Sequence, residues 1–203
     1  MASAKSAPRL NEAEYLEIER RAEYKSEFLR GEMFAMSGGT RWHSLIAVNL
    51  AGELRARLKG SRCMVLNSDM RVKIEAAGLY TYPDLSIACE SEQFVDDQGD
   101  TLLNPTVIIE VLSDSREAYD RGQKFEFYRQ IPSLREYVLV SQDRPHLEQF
   151  VRQPSGDWLF HDVSGLDAQI TLPSIGVSVA LAEIFAKVQF PPLSPRPDKS
   201  TSA

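Results

Sequence analysis

The sequence predicts a single mixed α/β domain of the α+β kind, with core elements in the order α-β-β-β-α-β. Three observations carry that reading. The stretch TRWHSLIAVNLAGELRARLKG places apolar residues at 42, 46, 50, 54 and 58, the spacing of one helix face. CMVLNSDMRVKI, LYTYPDLSIAC and VIIEVLS are apolar and β-branched, as buried strands are. A helical stretch then separates VIIEVLS from a further strand, REYVLV.

In chain order, Asn11 caps a short helix, EAEYLEIERR, and EYKSEFLRGEMFAMSGG alternates like a strand pair turning near Arg30-Gly31. The main helix follows, with Thr40 as N-cap and Gly60 as its stop. CMVLNSDMRVKI and LYTYPDLSIAC read as two strands, with Pro83 placing a break or edge in the second. ESEQFVDDQGD, rich in carboxylates, reads as a solvated acidic loop. After the VIIEVLS strand a helix is expected from about Glu117 to Ile131, ended by Pro132. HLEQFVRQ and WLFHDV form a hairpin across PSGD, and an ITLPSIGVSVAL strand and a short LAEIF helix close the domain. Residues 1–10 and 188–203 are expected to be flexible tails around one domain at 11–187, the second tail rich in proline.

The composition, 43% hydrophobic and 26% charged, is that of an ordinary folded domain. No apolar run approaches the roughly 18 residues of a membrane span, and the N-terminal stretch lacks the apolar centre of a signal peptide. The expected location is the cytoplasm, with no membrane partner. Cys63 and Cys89 are expected as reduced core residues, since two cysteines suggest neither a disulfide framework nor a zinc site. A net charge of −6 argues against indiscriminate polyanion binding, so any nucleic-acid contact must be local. No platform of interleaved aromatics is evident in the sequence, and a homodimer is among the assemblies open to it.

Glu110 sits inside the apolar run VIIEVLSDS, and an ionised carboxylate there costs several kcal/mol unless it is paired or bound to a metal. Asp84 lies in the neighbouring expected strand, and two converging carboxylates suit a hard divalent cation such as Mg²⁺. Lys124 shares a helical arc with Phe127, Tyr128 and Ile131, which aims it at the sheet; the plainer alternative is an i, i+4 pair with Asp120. His43 faces inward from the first turn of the main helix, as a core histidine or as a metal or phosphate contact. Asp69 either reaches the same pocket or starts a turn, and Glu32 reads as surface. Arg55, Arg57, Lys59 and Arg62 crowd the end of the main helix, with Arg41 at its start, as a solvated face or as phosphate contacts.

YPDLSIAC, NPTVIIEVLSDS and YDRGQKFEFYRQIPSLREYVLV resemble the Uma2-like family (domain of unknown function 820) of the PD-(D/E)XK nuclease superfamily. The resemblance extends over residues 11–187. It implies a restriction-endonuclease-like core, a central mixed sheet flanked by helices, with the N-terminal strand pair and the C-terminal hairpin as additions. It also implies a Mg²⁺-dependent endonuclease acting on DNA, Mn²⁺ being the other ion that would serve. Carried over by position, Asp84 and Glu110 are the metal-binding acids. The superfamily's lysine, two residues after the second acid, is Leu112 here, and Lys124 on the following helix takes its place as the third catalytic residue. For the acid borne on the first core helix the candidates are His43 and Glu53. The competing expectation is a catalytically weak or inactive nuclease-fold module that binds nucleic acid or a protein.

Overall fold

The structure is a computed structural model that describes residues 9–113 and 116–190. α1 (Glu12–Glu19) starts at Asn11, whose side chain accepts from Glu14 N while the Glu14 carboxylate accepts from Asn11 N, a reciprocal cap. β1 (Ser26–Leu29) and β2 (Glu32–Ala35) form a hairpin whose two turn residues, Arg30 and Gly31, both have positive φ. That is the backbone a tight two-residue hairpin demands. α2 (Arg41–Arg57) begins where the Thr40 side chain accepts from His43 N, and it buries Ile46, Leu50 and Leu54.

Each of the two long strands expected next is broken into two. The first becomes β3 (Met64–Asn67) and β4 (Arg71–Ile74), and the second becomes β5 (Leu79–Thr81) and β6 (Leu85–Ala88). The halves belong to different sheets. A five-stranded sheet runs β2-β1-β5-β4-β7, with β7 at Thr101–Leu102. A six-stranded sheet runs β11-β10-β9-β8-β6-β3 and holds β8 (Val107–Val111), β9 (Glu136–Val140), β10 (His146–Arg152) and β11 (Trp158–Ser164). Pro83 explains the second break: without an N–H it cannot continue a ladder on both sides, and the chain changes sheet there.

β8 and β9 pair in parallel, which requires a crossover. The crossover is the helix expected there: α3 (Glu117–Tyr119), a π turn at Asp120–Lys124, and α4 (Phe125–Tyr128). It ends one turn earlier than expected, because the residue ahead of Pro132 is kept out of the helical region and the backbone tightens to Tyr128–Ile131. The expected ITLPSIGVSVAL strand folds back as the hairpin β12 (Gln169–Leu172) and β13 (Val177–Ala180), ahead of α5 (Leu181–Ile184). The mixed α+β fold expected from the sequence is the fold observed.

One face of the six-stranded sheet packs Val107, Ile109 and Val111 against Ile46, Leu50 and Leu54 of α2 and against β12, β13 and α5. The other face packs Ile108, Leu112 and Leu139 against Phe127 and Tyr128 of α4 and Val72, Ile74 and Leu79 of the five-stranded sheet. α1 covers the far side of that sheet through Tyr15, Phe28 and Tyr80. Two expectations need correction here. Cys63 and Cys89 are joined in a disulfide: the β3–β6 register pairs Met64 with Ala88, so the two cysteines stand opposite each other one step beyond. The acidic loop is not simply solvated, since Asp96 and Asp100 both grip Arg20 at 2.8 Å, and Asp100 also holds the buried Arg71 at 3.0 Å. At the chain ends, Leu10 N donates to Gly31 O, and Val188 and Phe190 pack on the α2 side of the core. Residues 1–8 and 191–203 of the expected tails lie outside the described residues.

Candidate active site

The β6–β8 register pairs Leu85 with Ile109, so one step on, Asp84 meets Glu110 at the ends of adjacent strands. Asp84 sits at the bend before β6 rather than within a strand. Its Oδ2 accepts from Val111 N at 2.7 Å, and its own N–H points to Glu110 Oε2 at 3.4 Å. The carboxylate therefore completes the ladder where β6 has run out, and backbone and side chain lock the two acids together.

Glu110 is buried and points away from α2, toward the crossover helix. Its Oε1 accepts from Tyr128 OH at 2.7 Å and lies 2.8 Å from Lys124 Nζ. The Lys124 ammonium, 2% exposed, also lies 3.4 Å from Asp120 Oδ1 and 3.7 Å from Glu27 Oε1. The two alternatives for Lys124 are thus joined: it faces Glu110 and pairs with Asp120 at once. The π turn spans both residues, and Tyr137 OH from β9 donates to the Asp120 carbonyl at its start, at 3.0 Å. A side chain reaching into the helix ladder is a recognised cause of such irregularity.

His43 reaches the same place from the opposite side of the sheet. Its Nε2 is 3.1 Å from Asp84 Oδ2. The start of α2 is tied down by Thr40, whose hydroxyl donates to Gln142 Oε1, while Gln142 Nε2 donates to the Leu112 carbonyl. Gly39 presses on the imidazole, and a Cβ there would lie 2.8 Å from His43 Nδ1. A larger residue at 39 would push the ring off Asp84.

Burial pushes the Glu110 carboxyl up, to about 8, with Asp120 and Asp84 adding to the rise and Lys124 opposing it. Burial works against the Lys124 ammonium, yet Glu110, Asp120 and Glu27 outweigh it and hold its pKa above the usual lysine range. The hydrogen bond to Asp84 raises the His43 pKa despite its burial. Burial also raises Asp120, whose Oδ1 makes no hydrogen bond. The cluster is crowded with negative charge that one ammonium only partly offsets.

Glu27 is the buried carboxylate that reading the sequence missed, along with its partner Arg116. It comes from β1 of the other sheet, is buried, and takes 2.5 Å contacts from Thr81 Oγ1 and the Arg116 guanidinium. The signal was present in the inward-facing phase of SEFL, where one charged residue shares a strand with Phe28 and Leu29.

Other candidates lie elsewhere. Asp69 is exposed and holds Lys25 at 2.6 Å. Glu32 is exposed. Glu53 pairs with Arg57, which also holds Glu183, so neither Glu53 nor Arg57 reaches the acids. Arg55, Lys59 and Arg62 are exposed near the far end of α2; Arg55 lies about 18 Å along the axis from His43 at 1.5 Å per residue. Arg41 stands at the near end, beside Trp42.

Asp84, Glu110, Lys124, His43, Asp120 and Arg116 all line one open cleft of about 410 Å³. Among the described residues no cluster of three or more acid, histidine or cysteine side chains forms a ready-made metal cage. A hard ion that keeps several waters takes only one or two carboxylates. Asp84, partly exposed, and the buried Glu110 are the two carboxylates that would have to supply such a donor set.

The Uma2 family, described as "Putative restriction endonuclease", matches residues 12–182. Two uncharacterized proteins of Synechocystis sp. are similar: slr1290, 37% identical over 90% of this chain and 95% of that one, and sll1609, 36% identical over 79% and 91%. A crystal structure of a putative nuclease belonging to DUF820 from Anabaena variabilis shares the fold with a TM-score of 0.69, covering 85% of this chain and 96% of that one at 17% identity.

Proposed function

Because the chain belongs to the Uma2 family, we propose that it is a metal-dependent endonuclease that hydrolyses phosphodiester bonds of DNA. The observation that carries this reading is the meeting of Asp84, Glu110 and Lys124 in one cleft, from the bend before β6, from β8 and from the crossover helix that follows. Asp84 and Glu110 would hold Mg²⁺, or Mn²⁺ in its place. Such an ion, when bound, supplies an acidified water and neutralises charge on the phosphate.

The chain's own residues do the rest. Glu110 is set in place by Tyr128 and Lys124, and Asp84 by Val111 N and His43. The Lys124 ammonium faces the carboxylates from beneath, where it can meet negative charge that builds during bond cleavage. His43 and Arg116 both line the cleft of about 410 Å³, where they would contact a bound phosphate. No helix among the described residues is long and apolar enough to cross a membrane, and we place the reaction with its DNA in the cytoplasm.

The second reading, a nucleic-acid-binding module with little or no activity, has one observation in its favour: Lys124 and Tyr128 both occupy Glu110 Oε1. Incubation of the protein with plasmid and single-stranded DNA in Mg²⁺ or Mn²⁺ separates the two. Wild type should cleave, and Asp84→Ala, Glu110→Ala and Lys124→Ala should each lose about 100-fold or more, the size of effect seen when charge-stabilising groups are removed. Cleavage unchanged in all three variants would sink the proposed site.

A further inference from the structure

Trp42 is a large aromatic residue that is only partly buried. It lines the cleft that holds Asp84, Glu110 and Lys124, yet it belongs to none of the three apolar clusters. Its ring contact is the Arg41 guanidinium, 4.1 Å from the ring centroid. Arg41 is exposed and has no carboxylate partner among the described residues. On the other side of Asp84, the Tyr82 ring carries Lys25 Nζ at 5.5 Å. Residues 36–39, His43, Tyr82 and Asp84 wall both this cleft and a second of about 700 Å³ that reaches Lys25, Asn67 and Ser68.

We infer that Trp42, backed by Arg41, is the binding surface for one unpaired nucleobase, so that DNA enters the site as a single strand. This rests on the nuclease reading of the same cleft and adds the strand state of its substrate. Every base offers a π face to an indole, and a cation over the ring strengthens such stacking. A continuous duplex offers none, because its bases stack on one another.

A duplex would have to be held through its phosphates, and proteins that do so commonly neutralise about 6–10 of them. The cleft cannot do that. Lys25 is engaged by Asp69, Arg116 by Glu27, and Arg57 by Glu53 and Glu183. Among the described residues, the exposed cations beside the cleft without a carboxylate partner are Arg41 and Arg144, too few for that many phosphates, and Arg55 and Lys59 lie roughly 18–24 Å from His43 along and just past α2. With a net charge of −6, stacking rather than charge must hold the substrate near Asp84.

The chain has two tryptophans, so Trp158→Phe leaves Trp42 as the sole reporter. In EDTA, which prevents cleavage, oligothymidylate should quench Trp42 emission at concentrations where a duplex of equal length does not. Anisotropy of labelled oligothymidylate should show about tenfold or greater weakening for Trp42→Ala, the loss typical of one stacked base. Trp42→Phe should retain most of the affinity, and wild type should bind an abasic strand no better than Trp42→Ala binds oligothymidylate. Thermal melts of Trp42→Ala and Trp42→Phe against wild type separate loss of stacking from loss of fold, since the indole is partly buried. Equal single-strand binding by wild type and Trp42→Ala overturns the proposal, as does tighter binding of duplex or no saturable single-strand binding. The nuclease reading fails separately. Trp42-dependent strand binding with no cleavage in Mg²⁺ or Mn²⁺ retires that reading and upholds this one; duplex cleavage untouched by Trp42→Ala does the reverse.

Discussion

Replacing Lys124 with methionine keeps the volume and removes the charge, which makes it the sharpest probe of the buried cluster. The ammonium is 2% exposed, with Glu110 at 2.8 Å, Asp120 at 3.4 Å and Glu27 at 3.7 Å. Without it, only Arg116 remains to offset Glu27, and Glu110 and Asp120 face each other in low dielectric. Breaking a buried pair by deleting one partner costs about 3–5 kcal/mol. For a domain of this size the loss corresponds to a fall in Tm of roughly 6–20 °C.

The pH signature fixes the sign. Deleting Lys124 raises the folded-state pKa of Glu110 further above its unfolded value, so the carboxyl's contribution is intact below about pH 4.5 and is lost as pH rises through the folded pKa. Wild-type Glu110 itself titrates at about 8, so the gap between wild type and Lys124→Met should be flat from pH 4.5 to about 7 and widen only as pH rises above about 8. Adding Glu110→Gln should recover about 2 kcal/mol, a coupling within the range for residues in contact. Urea melts of the four proteins across pH would test this. A Lys124→Met cost under about 1 kcal/mol, or full additivity with Glu110→Gln, would refute a buried, paired ammonium.

Two further outcomes follow from contacts away from the cleft. Arg20, then Thr101 and Arg71, hold Asp100 well below the ordinary carboxylate range, so its stabilisation is present above about pH 4 and is lost as the medium becomes more acid. Asp100→Asn should lower the urea midpoint at pH 7, and the gap to wild type should narrow by pH 2; a constant gap would show that the pairing carries no weight. The Cys63–Cys89 bond closes a loop of 26 residues, worth about 3.5 kcal/mol of chain entropy. The oxidised protein should melt above the reduced form and show no thiol to a thiol reagent in guanidinium; two thiols per chain would contradict the bond.

What the sequence made legible was what depends on neighbours along the chain. Thr40 and Gly60 bracket α2 because capping chemistry is local, and the helical spacing of Lys124 with Tyr128 placed both on the buried arc. Asp84 and Glu110 were readable together because β6 and β8 are adjacent strands whose apolar runs are plain. Glu27 was not, because it enters the cluster from a strand in the other sheet, nearly a hundred residues from Lys124 in sequence. The splitting of both long strands was hidden for a related reason: NSDM and YPD mark where a strand can break, yet which sheet each half then joins is decided by packing. The disulfide depended on the β3–β6 register, and a slip of one residue would have turned the two thiols to opposite faces.

The chain passes from one sheet to the other at Tyr82–Asp84, and Lys124 has carboxylates on both sides of that crossing, Glu27 on one sheet and Glu110 on the other. The ammonium therefore acts as a gauge of how the sheets are seated. A slide of a few tenths of an ångström between them alters its contacts before any strand pairing is lost. Trimming the apolar layer that sets this seating, at Ile74 or Leu139, would disturb the carboxylates without touching them. On warming, the site should lose its geometry while the strands are still paired.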